Sequence, residues 1–467
     1  MNTRVESPII SPTTPQVKQV RILATPWLLV ILAFLHGLLY AIVVPPWQHY
    51  DEPTHFEYAR LIALWGRRPA VGETDLETNR EIANSMYRFK FWQLGVYPDL
   101  LSTTSPHIGY DEKVHPPLYY AVVALPISMM RFLPIEHQLY AGRFITVLFY
   151  VLMVLCAWRI ATIMAPTNPL LQMSIPLLLL LIPALTNQMS AINNDALVNF
   201  SITVLFLSCL YFIRDGLKPI PLCLAVLSIV VAVMAKRTAV VGIIPLILAL
   251  FWSFYRRPIR WWVWLLGITF LGIFLSVSIL EYRDSLWHLQ PWIIALDQQY
   301  LRLSLDTLIA RQPTLEQLVS VYPGVIDVLL TSFWGRFGWG HVVITPFWDW
   351  VVRLFTIATI VGLVMGMRFR LYTDLQMWQR RVLWLSGVFV VLAWFAVLVR
   401  FDIQQSFYVP QGRYMHLAVL PTILLMGIGL QGFVPKLWRA KVLFALVCSF
   451  VLLDIAAITS IILYYYI

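Results

Sequence analysis

Repeated apolar stretches of about 20 residues constrain the fold of this chain more than any other feature. A helix of that length spans the hydrocarbon core of a bilayer. The composition agrees, since 59% of the residues are hydrophobic and 12% are charged, against about 25% charged in a soluble domain. Lys and Arg give a net charge of +10, but most of them lie at the ends of apolar stretches, which indicates cytoplasmic anchoring and contact with membrane lipids, not nucleic acid. The sequence predicts an all-α polytopic membrane protein.

The distribution of basic residues predicts how the chain is threaded. Lys18 and Arg21 precede the first apolar stretch and place it with its start in the cytoplasm. Residues 1–24 are predicted to form a disordered cytoplasmic tail, and 25–467 a single membrane domain with about eleven spans and an external C-terminus. The predicted spans lie near Pro26–Val44, Gly142–Trp158, Leu170–Ala184, Ala196–Ile213, Pro219–Ala235, Ala239–Phe254, Trp261–Leu280, Trp350–Met367, Val382–Val399, Tyr414–Gln431 and Val442–Ile462.

The first external loop, 45–138, is predicted to contain two surface helices. Asp51–Trp65 has a good N-cap residue at its start, a proline in its first turn and Gly66 as a stop signal. Its apolar side suits a helix lying along the membrane surface. Leu118–Leu133 is apolar but short and contains Pro126, so it is predicted to be a surface or re-entrant helix.

Residues 49–56 place two adjacent carboxylates and a histidine directly after the first span. Charges at a membrane surface are costly unless they have partners or a function. A carboxylate can accept the proton of an attacking hydroxyl, which makes Asp51 and Glu52 candidate catalytic residues. Two alternatives remain: Asp51 caps its helix while Glu52 and His55 form a surface pair, or the two acids hold a divalent cation with His55 or His115. The spacing assigns no metal ligand.

Further polar residues are predicted on the same external side. Asn194 and Asp195 precede an apolar helix, where Asp195 is either a helix cap or part of a site. Lys236 and Arg237 lie in an external turn, against the positive-inside pattern. A phosphate-bearing ligand would explain them, and a helix break with snorkelling side chains is the alternative. Arg413 is a further candidate for contact with a phosphate or an acceptor.

The second large external loop, 281–346, ends in a motif of alternating aromatic, glycine and arginine residues at 333–341. Aromatic residues at a membrane interface are usually anchors. Glycine and arginine between them are less usual, and Trp334 with Arg336 suits a sugar ring or a phosphate. Tyr414 is placed with them as a site-lining residue.

Taken in order, these motifs resemble the GT-C superfamily of polyprenyl-phosphate-sugar glycosyltransferases. By pattern, the protein O-mannosyltransferases and the aminoarabinose transferase of lipid A are similar. A related family of bacterial predicted membrane proteins without assigned function is more similar still. The resemblance covers most of Pro26 to Tyr414. The motifs that carry it are Asp51-Glu52-Pro53-x-His55, His115-Pro116-Pro117-Leu118-Tyr119-Tyr120, Asn194-Asp195, Lys236, Phe333-Trp334-Gly335-Arg336-Phe337-Gly338-Trp339 and Gln411-Gly412-Arg413-Tyr414.

The resemblance implies a GT-C-like fold and roles for individual residues. Asp51 matches the catalytic aspartate that acts as base, Glu52 and Asp195 match acidic residues of the site, and Lys236 matches a residue that holds the lipid phosphate. His115 departs from the aminoarabinose transferase, which has a lysine before the two prolines. His55, Asn194, Trp334, Arg336 and Tyr414 complete the predicted lining, and Arg237 and Arg413 the predicted phosphate contacts.

The reaction implied is an inverting transfer of a sugar from a polyprenyl phosphate to an external glycan, lipid or protein acceptor. The enzyme would be an integral protein of the plasma (inner) membrane whose active site faces the extracytoplasmic side. No cofactor is assigned with certainty, and a divalent cation stays an alternative. The competing function is that of a transporter or flippase for a lipid-linked or anionic solute.

Overall fold

The computed structural model describes residues 26–92, 104–254, 321–368, 375–403, 411–432 and 434–467. The predicted tail at 1–24, the predicted span Trp261–Leu280 and most of the predicted loop 281–346 lie outside the described residues.

The described residues are mainly helical, with one short β-ribbon. The α-helices are α1 (Pro26–Val43), α2 (Glu52–Trp65), α3 (Leu76–Arg88), α4 (Leu118–Met129), α5 (Ile135–Met164), α6 (Pro169–Leu180), α7 (Pro183–Met189), α8 (Asp195–Asp215), α9 (Pro219–Ala235), α10 (Ile243–Phe254), α11 (Tyr322–Gly335), α12 (Pro346–Arg368), α13 (Met377–Ile403), α14 (Val419–Gly432) and α15 (Arg439–Tyr466). Short 3-10 helices are Glu112–Val114, Arg237–Gly242, Gly412–Ala418 and Lys436–Trp438. Strands β1 (Arg336–Phe337) and β2 (Val342–Val343) pair antiparallel.

Eight helical segments of the described chain are long and apolar enough to cross a membrane. The pair α6 and α7, bent by 65° at its break, forms a ninth if it is counted as one span. These segments are Pro26–Val43, Ile135–Met164, Asp195–Asp215, Arg237–Phe254, Pro346–Gly366, Met377–Leu398, Gly412–Gln431 and Arg439–Tyr466. These helices support the predicted class, an all-α protein that crosses the membrane several times. The count of eleven spans and the GT-C-like arrangement stay predictions.

Two apolar helices are shorter than these segments. Helix α9 has 17 residues and α4 has 12. At 1.5 Å per residue, α4 is about 18 Å long, well below the roughly 30 Å of a bilayer core. Its length therefore agrees with the predicted surface or re-entrant helix.

Helix α8 lies at the centre of the described structure. Its apolar window is 78% buried inside the protein, against 17% for α12, and it packs against α5, α9 and α10. On the outer helices, large apolar side chains such as Trp27, Leu354 and Phe444 are exposed. Apolar surface of this kind suits contact with lipid chains, so α8 is an interior helix and α12 a peripheral one.

Helices α1 and α15 are joined by a polar contact within their apolar segments. His36 Nε2 lies 2.8 Å from Asp454 Oδ2, and the Tyr40 hydroxyl donates to Asp454 Oδ1 at 2.7 Å. Because an ionisable group in an apolar environment needs partners, this contact favours one register of α15 against α1.

Candidate active site

Buried Arg143 of α5 fixes the turn that carries the acidic pair. Its guanidinium donates to both oxygens of Glu52, at 2.8 Å from Nε and 2.6 Å from Nη2. The same group donates to the carbonyls of Ala41, Val44 and Pro45 at the end of α1. Ala41 lies in the last turn of α1, where a helix leaves its carbonyls without partners, and Val44 and Pro45 follow directly after the helix. One side chain therefore both caps α1 and binds the first residue of α2.

Glu52 is fully buried, and its carboxylate is occupied by protein groups. It also accepts from the backbone N–H groups of Trp47 at 3.1 Å and Ile192 at 3.3 Å. Although burial opposes ionisation, the Arg143 guanidinium lowers the pKa of this carboxyl. The geometry therefore makes Glu52 a link between the α1–α2 turn, α5 and the α7–α8 connection, and it offers no free oxygen to a ligand.

Asp51 has a different environment from its neighbour. Its backbone is left-handed, with φ 56°, and its side chain makes no capping hydrogen bond to α2. Instead, Oδ2 accepts from Arg413 Nη2 at 2.6 Å, and Oδ1 has no hydrogen-bond partner among the described residues. The guanidinium of Arg413 lies over the rings of Tyr50 and Tyr414, at 4.5 and 5.2 Å from their centroids. The Asp51 side chain therefore does not cap α2. Its Oδ1 atom remains available to accept a hydrogen bond or a proton from a ligand.

A second ion pair lies next to the first. Lys236 Nζ donates to Asp195 Oδ1 at 2.5 Å and stands 5.3 Å from the ring centroid of Tyr414. That ring therefore contacts two of the three predicted phosphate-binding cations, Lys236 and Arg413. Asn194 donates to the carbonyl of Ala235 at 3.0 Å and joins the start of α8 to the end of α9. Lys236 is buried and paired, unlike the snorkelling side chain that was the alternative. Arg237 is half-buried and begins the next 3-10 helix.

A chain of buried polar groups holds Asp195 from the other side. Its Oδ2 accepts from Gln188 Nε2 at 3.1 Å. The Oε1 atom of Gln188 lies 2.6 Å from His416 Nδ1, and His416 Nε2 lies 3.0 Å from the carbonyl oxygen of Phe333. This chain connects α7, α8, the 3-10 helix at Gly412–Ala418 and α11. Asp195 therefore has a fixed position, and nothing in the sequence pattern pointed to Gln188 or His416.

His55 and His115 lie close to Glu112, an acid that the sequence motifs did not indicate. Glu112 Oε2 lies 3.1 Å from His115 Nε2 and 3.9 Å from His55 Nδ1, and His55 Nδ1 is 2.8 Å from the Tyr120 hydroxyl. Although burial opposes ionisation of Glu112, His55 and His115 lower its pKa to about 2. Asp51, His55 and Glu112 each offer one atom that can bind a metal, and these three atoms lie within 4.8 Å of one another. Carboxylates and imidazole suit a divalent cation. The predicted combination of Asp51 with Glu52 is not formed, because Arg143 occupies Glu52, and Glu112 takes the place of Glu52 in this cluster.

A cleft of about 370 Å³, mouth included, opens on the other side of Arg413. Its walls come from the turn after α1, from α7, from the α7–α8 connection, from the C-terminal end of α11 and from the start of the 3-10 helix Gly412–Ala418. The lining residues are His49, Tyr50, Ala184, Asn187, Gln188, Ala191, Asn193, Ser332, Arg336, Gln411 and Arg413. Two of them are arginines and none is a carboxylate, so the wall carries positive charge and amide groups.

The two predicted residues of the aromatic-glycine motif separate in the structure. Trp334 is buried and packs edge-on against Phe450 in the core. Arg336 reaches the cleft wall, and its Nε donates to the carbonyl of Gly340 at 2.6 Å. Gly340 has φ 94°, a left-handed conformation that glycine adopts at little cost. The motif therefore supplies one cleft residue and one core residue.

Arg143 and Glu112, which the sequence reading did not select, each have a sequence signal. Arg143 is a charge inside a predicted span, where an ionisable residue indicates a buried partner. Glu112 precedes His115 by three residues, the spacing of neighbours on one helical turn. Asn187 of α7 has no comparable signal, because an amide near an apolar stretch fits many environments.

The fold and the site together define a polytopic α-helical membrane protein with a charged, polar centre. This centre lies where α1 and α9 end and where α2, α5 and α8 begin, so it occupies one end of the helix assembly. A family model described as predicted membrane protein (DUF2142) matches residues 34–426, and the chain belongs to that family. No curated protein matches the chain.

Proposed function

We propose that this protein transfers a sugar from a polyprenyl phosphate to an extracytoplasmic acceptor, with inversion at the anomeric carbon. The observation that carries the proposal is the meeting of Asp51, Arg413, Asp195 and Lys236 around the ring of Tyr414. These residues come from four separate segments, and they are the ones that the motif order singled out. A carboxylate beside two cations supplies the two requirements of the displacement, a base and a binding site for the departing phosphate.

In the proposed reaction, the acceptor hydroxyl attacks the anomeric carbon and gives its proton to Asp51 Oδ1. The new C–O bond forms as the bond between that carbon and the phosphate oxygen breaks, and polyprenyl phosphate leaves. Arg413 contributes positive charge, and its Nε has no hydrogen-bond partner among the described residues, so it is placed to donate to a phosphate oxygen. Lys236 adds a second charge, and Arg237, next along the chain, stays a proposed contact.

The remaining predicted residues have supporting roles in this proposal. Glu52 holds the turn that presents Asp51, and Asp195 fixes Lys236. Should Asp51, His55 and Glu112 bind a divalent cation, that cation would supply further charge for the phosphate. In this proposal the enzyme lies in the plasma (inner) membrane, and its site faces the extracytoplasmic side, where it meets the lipid-linked donor.

One observation favours the second candidate, a transporter or flippase of a lipid-linked or anionic solute. Helices α6 and α7 meet at a bend of 65°, the geometry of a broken span or a re-entrant loop, and α7 contributes Asn187 and Gln188 to the cleft. Transporters often build their binding sites from broken helices. Sugar-transfer and lipid-translocation assays separate the two functions.

The test compares purified wild-type protein with Asp51→Asn on a panel of synthetic polyprenyl-phosphate sugars, with candidate acceptors. We expect turnover by the wild type and a loss of about 10²- to 10⁴-fold in the variant, the usual range for removing a general base. Binding of the donor lipid should persist in both proteins.

Asp327→Asn is the matched control, because it removes another Asp–Arg pair, between Asp327 Oδ1 and Arg353 Nη2 at 2.7 Å, away from the site. It should leave turnover unchanged. Lipid binding without turnover in either protein, together with movement of the lipid across liposome membranes, would contradict the enzyme and support the transporter.

A further inference from the structure

An exposed arginine interrupts the apolar surface of α5 near the end of this helix. Arg159 lies about 24 Å from Arg143 along the helix, at 1.5 Å per residue, and so belongs to the end of the helix assembly opposite the candidate active site. The segment around it, Ile135–Met164, is one of the candidate membrane spans. A charge at the edge of a bilayer core is costly unless an opposite charge or water meets it. What meets Arg159 at this depth therefore decides its role.

Tyr211 of α8 fixes the direction of the Arg159 guanidinium. Arg159 Nε donates to the Tyr211 hydroxyl at 3.0 Å. The terminal nitrogens Nη1 and Nη2 of Arg159 have no hydrogen bond or ion pair with any residue that the structure describes. A guanidinium held through Nε presents these two nitrogens as a planar pair of donors, which matches two oxygens of a phosphate. The protein therefore orients the donors of Arg159 and leaves their acceptor to a ligand.

Two further cations lie beside Tyr211. The guanidinium carbon of Arg214 stands 5.2 Å from the centroid of the Tyr211 ring. Asp215 accepts from Nε and Nη2 of Arg214 at 2.8 and 2.7 Å and lies 3.7 Å from Lys218 Nζ. This carboxylate is therefore occupied by Arg214, and it forms no ion pair with Arg159. Arg159, Arg214, Lys218 and Asp215, here called the Arg159 cluster, carry a net charge of about +2, taking their ordinary protonation states.

The surface of α5 beside the Arg159 cluster is apolar. Leu148 and Leu152 are exposed, and the spacing of an α-helix places both on the same face as Arg159. They lie about 16 Å and 10 Å from it along the axis, toward the centre of the candidate span. A cationic group at the end of a helix and an apolar stripe leading inward from it together match a phosphate headgroup with its acyl chains.

The charge of the cluster selects among lipids. A zwitterionic phospholipid brings its own cationic group, which the excess of positive charge repels. An anionic phospholipid has no such group and gains the attraction of every basic residue near the surface. A free phosphate ion would satisfy Arg159 and leave the apolar stripe without a use. The observations therefore favour an anionic phospholipid over both.

We propose that the Arg159 cluster binds one anionic phospholipid in the leaflet opposite the candidate active site. Its phosphate accepts from the terminal nitrogens of Arg159, Lys218 adds a second positive charge, and an acyl chain lies along Leu152 and Leu148. Because Arg159 belongs to α5 and Tyr211 to α8, the bound lipid stabilises the contact between two helices that carry candidate-site residues at their other ends. This inference does not depend on the proposed transfer reaction.

The experiment uses the full chain in lipid nanodiscs. Phosphatidylglycerol is the probe and is added in rising proportion to phosphatidylcholine, and native mass spectrometry of the released protein counts the retained lipid. We expect the wild type to retain one phosphatidylglycerol in preference to phosphatidylcholine. Arg159→Gln should retain it about 5-fold less or weaker still, because one basic residue at a membrane surface contributes a factor of about 5 in lipid affinity.

Two conservative variants separate a built phosphate site from positive charge alone. Arg159→Lys keeps the charge but lacks the planar pair of donors, and Tyr211→Phe keeps the ring but lacks the hydroxyl that orients Arg159. Both should retain less phosphatidylglycerol than the wild type. Retention equal to the wild type in both variants would overturn the inference, since charge alone would then explain the binding.

Lys441→Gln is the matched control. Lys441 is exposed on α15, whose other end contacts α1 through Tyr466 and Val43, so this variant removes one charge at the same end of the assembly. It should retain phosphatidylglycerol like the wild type, because salt screens separated surface charges. An equal loss in Lys441→Gln and Arg159→Gln would show a diffuse attraction and would overturn the site.

Inorganic phosphate distinguishes a lipid from a soluble anion, and it should not displace the retained phosphatidylglycerol. Displacement would assign the cluster to a free phosphate and overturn the lipid proposal. The melting temperature supplies an independent readout: it should rise with the proportion of phosphatidylglycerol in the wild type, and this rise should be smaller in Arg159→Gln. A wild type that melts at the same temperature in both lipids would overturn the proposed stabilisation of α5 against α8.

Discussion

At the residue scale, the adjacent acids Asp51 and Glu52 show that burial decides the role of a carboxylate. Glu52 is 0% exposed and has four hydrogen bonds from Arg143, Trp47 and Ile192. Asp51 is partly exposed and binds only Arg413 through one oxygen among the described residues. The hydrogen bonds of Glu52 hold the α1–α2 turn in place, whereas Asp51 keeps one carboxylate oxygen that can accept a proton.

Replacing Glu52 by glutamine should destabilise the protein strongly. The substitution leaves the buried Arg143 guanidinium without its counter-charge, a change that typically costs about 3–5 kcal/mol. Thermal unfolding in nanodiscs would measure this as a large fall in melting temperature. Glu73→Gln is the control, because it breaks an exposed pair with Arg67, and exposed pairs add little to stability. Equal melting temperatures for the two variants would contradict the assigned role of Glu52.

His49 predicts how stability depends on pH. Its pKa in the folded protein is about 3, against about 6.5 in an unfolded chain, so the unfolded state binds the proton first as the pH falls. The free energy of unfolding that neutral, buried His49 contributes is fully present above about pH 6.5 and is lost progressively as the pH falls toward 3. Between pH 7 and pH 5 the loss from this ring is about 2 kcal/mol.

Melting temperatures measured from pH 7 to pH 5 should fall for the wild type and fall less for His49→Gln. The exposed His137→Gln variant is the control and should follow the wild type. A His49→Gln curve parallel to the wild type would show that this ring is not buried in the neutral form.

At the element scale, the site depends on close packing between α11 and the 3-10 helix Gly412–Ala418. A Cβ atom at Gly412 would meet the backbone nitrogen of Phe333 and lie 2.5 Å from the carbonyl oxygen of Leu329. The N–H of Gly412 donates to Ser332 Oγ at 2.6 Å. Only glycine allows this approach, and the next residue, Arg413, takes its position from it.

Gly412→Ala should therefore separate the two elements and displace Arg413. We expect a lower melting temperature and, in the transfer assay, a loss of activity comparable to that of an Arg413 variant. Gly387→Ala in α13 is the matched control, since a Cβ there meets nothing within 4 Å and alanine favours a helix by up to about 1 kcal/mol. Wild-type activity in Gly412→Ala would show that this packing does not set the site.

At the scale of the whole molecule, the site lies at one end of the helices and the α5–α6 connection at the other. Helix α5 has 30 residues and is about 45 Å long, enough to cross a bilayer. Arg143, near its start, binds the turn of the acidic pair, and Thr167 follows its end. The proposed extracytoplasmic site therefore requires Thr167 to be cytoplasmic.

A cysteine-depleted protein with Val71→Cys should react with a membrane-impermeant maleimide in intact cells. The same protein with Thr167→Cys should react only after permeabilisation. Both positions are exposed, so accessibility within the protein does not bias the comparison. The opposite labelling pattern would invert the proposed orientation.

The sequence by itself determined the elements that depend on local pattern. Long apolar runs gave the spans because their length matches the bilayer core, and most predicted ranges overlap an observed helix. The start and stop signals of α2 were also readable: the helix begins at Glu52, and Gly66 ends it in a left-handed conformation with φ 64°. Such features depend on neighbouring residues, and these are visible in the sequence.

Only the tertiary structure decided which polar groups meet. Arg413 and Asp51 are 362 residues apart, and Arg143 and Glu52 are 91 apart. Partners at such separations depend on how helices pack and turn, and periodicity does not encode that. The same reason explains why Glu52 became a buried link, why Trp334 entered the core, and why the amides of Asn187 and Gln411 came to share one cleft.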